Sequence, residues 1–209
     1  MNKKAIDTAN SLGKPDMRLE ALDTARRLFI EEGYAEFSMR KVARELGIRQ
    51  GHLQHYFPTR DDLLTEMLEQ ALHTYIDEYE KFRQDLSGDP EQQLDRAVKF
   101  LLNDISNHKV SKFFLELWPM TSHFREVLLM LRDIYKKNWD GFSVFVENFR
   151  NDLREEEVRS LTLVVLALVD GLIIYCHSMV PNKRELERAS AAAYSAIWTV
   201  LRSAKCETE

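Results

Sequence analysis

The sequence predicts an all-α protein in two parts, a small three-helix unit followed by a larger helical domain. Three observations lead there. Apolar residues recur at i, i+3, i+4 and i+7 spacing along most of the chain, and no stretch alternates with the period of a strand. Capping signals then cut this pattern into separate helices: Ser38, Thr59 with Asp62, and Asp89-Pro90 with Gln92 at starts, Gly33 and Gly47 at ends. Charge, finally, is unevenly divided. Residues 1–60 hold 11 Lys/Arg against 8 Asp/Glu, a net +3, which leaves 18 against 26, a net −8, for the rest of a chain whose formal charge is −5.

A chain of 209 residues, 44% hydrophobic and 10% aromatic, buries a core and is not a solvating disordered chain. Its two cysteines, Cys176 and Cys206, form neither a metal spacing nor a disulfide framework and fit a reducing compartment. The opening residues lack an apolar signal core. The longest apolar run, Leu161 to Cys176, is interrupted by Asp170 and is shorter than the roughly 18 residues of a membrane span. A soluble, cytoplasmic protein with a buried helix there, and no membrane partner, is the expectation.

Residues 1–15 are polar, with Gly13 and Pro15, and read as a flexible arm carrying Lys3, Lys4 and Lys14. A first helix runs from Asp16 to Gly33, with Leu19, Leu22, Ala25, Leu28 and Phe29 as its inner stripe. From Ser38 to Arg60 follow two short helices joined by a tight turn. Met39, Val42, Ala43 and Leu46 line the first, between an N-cap at Ser38 and a stop at Gly47. Leu53, Tyr56 and Phe57 line the second, which Pro58 ends. The outer faces carry Arg40, Lys41, Arg44, Arg49, Gln50, His52, Gln54 and His55, with Glu45 as the carboxylate among them. A helix-turn-helix has this layout, one helix braced across the phosphates and the next in the major groove.

The residues Phe37-Ser38, Val42-Ala43, Leu46-Gly47-Ile48, Gly51-His52-Leu53 and His55-Tyr56-Phe57-Pro58-Thr59-Arg60-Asp61-Asp62-Leu63-Leu64 resemble the DNA-binding domain of the TetR family of transcriptional regulators, over Arg18 to Leu68. The resemblance implies Gln50, His52 and Gln54 at base edges and Ser38, Arg40, Tyr56 and Arg60 at phosphates, with Arg49 and His55 on the same face. It also implies that the backbone at Gly51 comes close to DNA; Tyr56 equally suits a core place with its hydroxyl at the rim. Two positions depart from the family pattern. Arg49 stands where a capping Ser or Thr is usual, and Gln54 where Tyr is usual; Gln suits adenine N6/N7.

The fourth helix, opened by Thr59, carries Leu63, Leu64, Met67, Leu68, Leu72, Tyr75, Ile76, Tyr79 and Phe82, and is long enough to leave the small domain. The expected division is an arm at 1–15, a helix-turn-helix domain at 16–60 and a helical ligand-binding and dimerisation domain at 61–209. Within the last, a fifth helix carries Leu94, Ala97, Val98, Leu101, Leu102 and Ile105. A shorter one runs Val110 to Trp118, stopped by Pro119. A long one runs from Thr121 to Phe149, with Val127, Leu128, Leu131, Ile134, Tyr135, Phe142, Phe145 and Phe149 inside. The last two helices, 154–179 and 183–204, are separated by Pro181 and Asn182.

Leu161, Val164, Val165, Leu168, Leu172 and Tyr175 make the eighth helix apolar over more of its circumference than one packing face needs. Ala189, Ala192, Ala193, Ala196, Ile197 and Val200 give the ninth a small-residue seam. By the resemblance, this pair (154–204) forms a four-helix bundle with a second copy, and the homodimer reads a pseudo-palindromic operator in double-stranded DNA. The resemblance also implies a small-molecule inducer. Phe100, Phe113, Phe114, Trp118, Met120, His123, Tyr135, Trp139, Phe142 and Tyr175 are candidates to line its cavity, though aromatic residues at helical spacing equally build a plain core. Asp170, a lone acid in an apolar run, must pair, cap or meet a ligand. Leu168-Val169-Asp170-Gly171-Leu172 resembles the choline-responsive branch of the family, and a cation in an aromatic and acidic box is physically sensible.

His52-x-x-His55 has no Cys or third His nearby and is not read as a metal pair. No phosphate loop, nucleophile elbow or paired catalytic acid appears, so neither cofactor nor catalysis is expected. The reading is a cytoplasmic, nucleoid-associated regulator, a repressor released by its inducer, or an activator of the same fold. Two other classes stay open: a helical enzyme using His108, Glu116 and His123, and a scaffold whose basic helices meet an acidic partner.

Overall fold

The computed structural model describes residues 16–179 and 182–203; the arm at 1–15, Pro181, Cys206 and the Ile105 side chain lie outside what is described. Nine α-helices and no strand occur among the described residues: α1 (Met17–Glu32), α2 (Met39–Glu45), α3 (Gln50–Gln54), α4 (Arg60–Gln84), α5 (Pro90–Ser106), α6 (His108–Met120), α7 (Arg125–Phe149), α8 (Glu155–Met179) and α9 (Lys183–Ser203). The chain separates into two compact units, 1–71 and 72–209. That division falls inside α4, not at the 60/61 boundary expected from sequence. Leu63, Leu64, Met67 and Leu68, on the first turns of α4, are buried.

In the first unit, local chemistry sets the helix ends. Asp16 accepts from the Arg18 N–H at 3.0 Å and opens α1. Ser38 accepts from the Lys41 N–H at 3.3 Å and opens α2. Gly47, at φ +67°, closes α2 in the left-handed region where a side chain would be strained. Thr59 and Asp62 cap α4 reciprocally: the Thr59 N–H donates to the Asp62 carboxylate at 2.9 Å, and the Asp62 N–H to the Thr59 hydroxyl at 3.1 Å. Ala21, Ala25, Phe29, Val42, Leu53 and Phe57 form the core. Leu19 is not part of it, being 50% exposed. The stripe of α1 runs through Ala21, Leu22, Ala25, Leu28 and Phe29, and Leu19 lies off that line.

In the second unit α5 is central, packing against α6, α7, α8 and α9. Leu94, Ala97 and Val98 are fully buried there, with Phe142, Val146, Val165, Ile197 and Leu201 around them. The Asp89 carboxylate accepts from the Gln92 N–H at 2.9 Å to open α5, with Pro90 in its first turn. Along the second half of α4, Tyr75 meets Phe114 edge-on at 5.4 Å and Phe82 stacks on Phe100 at 4.3 Å. Gly141 on α7 permits a close approach, because a Cβ there would lie 2.9 Å from the Arg83 guanidinium and 3.0 Å from the Tyr79 ring.

Two boundaries differ from expectation. Pro119 lies inside α6, whose start is set by Asn107 capping the Lys109 N–H at 3.2 Å. Proline lacks only its own N–H, and in a last turn its fixed φ is compatible with helix. Thr121 therefore closes α6, its hydroxyl donating to the Trp118 carbonyl at 2.7 Å, instead of opening α7, which begins at Arg125. Leu128, expected inside α7, is 38% exposed. The apolar run Leu161–Cys176 lies within the long helix expected over 154–179. At 25 residues, α8 is long and apolar enough to cross a membrane by length and composition, but Val158, Leu161, Thr162, Val165, Val169, Ile173 and Cys176 bury one face of it in the helical unit.

Candidate functional site

The ion pairs of the first unit sort its cations into two groups. Arg27 pairs with Glu31 at 3.0 Å and Glu45 at 2.9 Å, and Lys41 with Glu32 and Glu36, both at 2.7 Å. Arg26 meets Asp23, and Arg18 meets Glu66. Arg40, Arg44 and Arg49 are exposed and form no ion pair among the described residues. These three stand on the outer side of α2 and at the N-cap of α3. Glu45, the carboxylate of that surface, is neutralised by Arg27. Lys41, grouped with the outer face on sequence, is instead half-buried between two glutamates.

Helix α3 presents Gln50, Gly51, His52 and Gln54 outward, with His55 just beyond its end, while Leu53 is fully buried. The buried residue fixes the rotation of this short helix, so its polar neighbours must face out. Arg49 makes no side-chain cap for the N–H groups of the first turn. A Cβ on Gly51 would meet nothing within 4 Å, so no residue of this chain requires glycine there. Tyr56 falls after the helix, half-buried, with the His52 ring 5.8 Å from its own.

Arg60 differs most from its expected place at a phosphate. Its Nε donates to the Phe37 carbonyl at 3.0 Å and its terminal nitrogens to the Tyr34 carbonyl at 3.1 Å and hydroxyl at 3.2 Å. The guanidinium also lies 4.6 Å from the Tyr34 ring centroid. Its donors hold the α1–α2 connection, and little is left for DNA. A sequence motif records the residue type but not the carbonyls that surround it.

In the second unit a small cavity of about 30 Å³ lies between helices, lined by Tyr75, Phe114, Tyr135, Asn138, Asp170 and aliphatic residues of α5, α6, α7 and α8. Burial pushes the Asp170 carboxyl up to about 6, partly offset by a hydrogen bond from Tyr135. Burial likewise raises the Tyr135 hydroxyl, with the Asp170 charge adding to the shift. Trp118 Nε1 donates to the Tyr135 hydroxyl at 2.6 Å, which orients it. The Asn138 Oδ1 is buried with no hydrogen-bond partner, an acceptor waiting for a donor.

Of the expected pocket residues, Phe114, Tyr135 and Asp170 line this cavity, and Trp118 reaches it through Tyr135. The others lie elsewhere. Phe100 stacks in the α4–α5 contact, while Phe113, Met120 and Phe142 are core. Trp139 lies under the Arg159 guanidinium at 5.9 Å, and His123 is exposed in the turn after α6. Tyr175 is 70% exposed on another face of α8. Five residues beyond Asp170, it is rotated about 140° around the helix, which sequence proximity hides. Tyr75 and Asn138 were missed; Asn138, at i+3 from Tyr135 on α7, carried the readable signal of a polar residue on an aromatic face. His108 stacks on His177 at 5.6 Å away from the cavity, so His108, Glu116 and His123 do not assemble around it.

Residues 21–67 match the family of bacterial regulatory proteins called tetR. Over those residues the chain carries a DNA-binding domain of the tetR type. The HTH-type transcriptional regulator BetI of Stenotrophomonas maltophilia is 26% identical over 187 residues, 88% of this chain and 93% of that protein. An HTH-type regulator of Staphylococcus aureus is 27% identical over 156 residues, 69% and 76% of the two chains. The fold is also that of a Saccharomonospora viridis regulator solved in complex with choline (TM-score 0.78, 19% identity, covering 88% of this chain and 97% of that one). A TetR regulator from Haloarcula marismortui shares it at TM-score 0.75 and 21% identity, with the same coverage. With that domain the chain is a helix-turn-helix transcriptional regulator, and regulators of the TetR family bind DNA and small molecules and act as dimers.

Proposed function

We propose that this protein is a homodimeric repressor that leaves a pseudo-palindromic operator when a small organic cation enters the second unit. The observation that carries the DNA side is the sorting of cations. Arg40, Arg44 and Arg49 lack acidic partners and border α3, whereas the other described basic groups of the unit are paired. Uncompensated cations beside an amide- and imidazole-rich helix suit phosphates flanking a read groove. Gln50, His52 and Gln54 read base edges, Ser38, Arg40, Arg49 and Tyr56 position the backbone, and His55 flanks them.

The dimer reading rests on α8. Leu163, Val164, Ile174 and Tyr175 are 50, 46, 46 and 70% exposed on a face with Ala167 and Gly171 between them, and Ala192 and Ala196 are exposed on α9. A second copy would cover this surface isologously. Domains of this arrangement are a DNA-binding domain and a ligand-binding and dimerisation domain joined by α4.

The ligand reading rests on Asp170 among Tyr75, Phe114 and Tyr135, and on the choline held by the Saccharomonospora viridis neighbour. A cation would repay the desolvation of the buried carboxylate, and aromatic faces would receive it. The Asn138 acceptor suits a ligand hydroxyl or N–H. A cavity of about 30 Å³ is too small for such a ligand, so binding must open it, and that requirement is the source of differential affinity between conformations. A typical coupling of roughly 1–3 kcal/mol makes release about 5–150-fold.

Selection of bound fragments from random double-stranded DNA at low and physiological salt tests the first part. A palindrome enriched at the higher salt is the expected result; binding only at low salt would leave a non-specific basic face and sink it. Choline added to the protein–operator complex tests the second. Unchanged operator affinity and melting temperature, with choline and with primary amines alike, would remove the cationic ligand.

A further inference from the structure

One contact in the first unit joins the end of the recognition helix to α4. Arg18 on α1 is in the middle of it. Its Nε donates to Glu66 Oε1 at 2.6 Å and a terminal nitrogen to Glu66 Oε2, a two-pronged fork. Its remaining terminal nitrogen donates to the carbonyl of Tyr56 at 3.1 Å, just past the end of α3. The flat face of the guanidinium lies 4.9 Å from the centroid of the Phe57 ring. Each nitrogen of the guanidinium is thus committed, and three helices meet on one planar group.

We infer that Arg18 and Glu66 are positioning residues for DNA reading: together they set the height and rotation of α3 against the first turns of α4. The inference rests on the reading of α3 as the recognition helix. Helix α3 has only five residues, no side-chain N-cap and one fully buried side chain, Leu53, so little else restrains it. The next residues, Tyr56 and Phe57, are where Arg18 takes hold. The pair itself is partly exposed, 44% for the Arg18 side chain and 32% for Glu66, so screening by water limits its contribution to stability. Its geometry is nevertheless fully specified. A lysine offers one point charge and cannot grip a carboxylate by two prongs and a carbonyl at once. Because Glu66 stands on the second turn of α4, displacement of that turn moves the carboxylate that holds Arg18, and through it the Tyr56 carbonyl.

The test compares full-length protein with Arg18→Lys and Glu66→Gln, binding the selected operator fragment and a scrambled fragment across a salt series. The variants should weaken operator binding at least roughly fivefold, the loss expected from misaligning one bidentate base contact. Binding to the scrambled fragment and the salt slope should stay as in the unaltered protein, and the melting temperature should fall by no more than about 4 °C. Unchanged operator affinity in both variants would overturn the inference and leave the pair a local surface contact. Equal weakening on both fragments with a shallower salt slope would overturn it too, by making Arg18 a phosphate contact. Absence of any operator preference in the unaltered protein would instead refute the proposed function, so the two failures are distinct. Glu66→Gln keeps the shape of the side chain, so a folded comparison exists if Arg18→Lys proves unstable.

Discussion

Asp170 offers the sharpest quantitative consequence of the structure. Its carboxyl rises from the ordinary 3.8 to about 6 because burial penalises the charged form. The folded protein therefore holds this proton more tightly than the unfolded chain does. The contribution is fully present below about pH 4 and is lost as pH rises through about 6. At 1.36 kcal/mol per unit of pKa, the ionised buried carboxylate costs about 3 kcal/mol at neutral pH. Asp170→Asn removes that cost while keeping a polar group for Tyr135. For a chain of this size the variant should melt roughly 6–12 °C higher at pH 7.5, with the gain vanishing at pH 4. Thermal unfolding of both proteins by circular dichroism from pH 4 to pH 8 measures it. A gain that is the same at every pH, or a variant less stable than the parent at pH 8, would refute the assignment of a desolvated carboxylate without a counter-charge. The cationic ligand makes a linked demand: choline should raise the melting temperature of the parent at pH 7.5 and do little for Asp170→Asn.

Three further outcomes follow from the described geometry. Gly51→Ala should stabilise the free protein by about 1 kcal/mol through helix propensity, since a Cβ there meets nothing, yet weaken operator binding by placing that Cβ against DNA; stability and affinity moving together would reject the close approach. Arg49→Ser should add the missing cap of α3, worth about 1 kcal/mol, while lowering the salt dependence of DNA binding by about one phosphate per recognition helix; titration at several salt concentrations reads both effects. Ile174→Glu places a charge on the uncovered face of α8, and sedimentation should find a folded monomer with little operator affinity; a persisting dimer would move the interface elsewhere.

The all-α class, the capping of α2, α4 and α5 and the helix-turn-helix were determined by sequence alone, because each depends on residues within one or two turns of each other. Ser38 with the Lys41 N–H, Thr59 with Asp62, and Asp89 with the Gln92 N–H are contacts of near neighbours, and periodicity makes them legible. The outward face of α3 was legible for the same reason, since burying Leu53 dictates where Gln50, His52 and Gln54 point. Only the tertiary structure could separate the free arginines from the paired ones. Arg27 and Glu45 are 18 residues apart, and Arg18 and Glu66 are 48 apart. Arg60 reads as a phosphate ligand in a motif, and only the fold shows that carbonyls of Tyr34 and Phe37 reach it from another segment. The cavity was likewise undecided by composition. Aromatic residues at helical spacing satisfy core and pocket equally, and only the rotation of α7 and α8 brings Tyr135, Asn138 and Asp170 together while turning Tyr175 away. Local chemistry is written in short-range pattern; which distant groups spend their charge on one another is settled only when the helices pack.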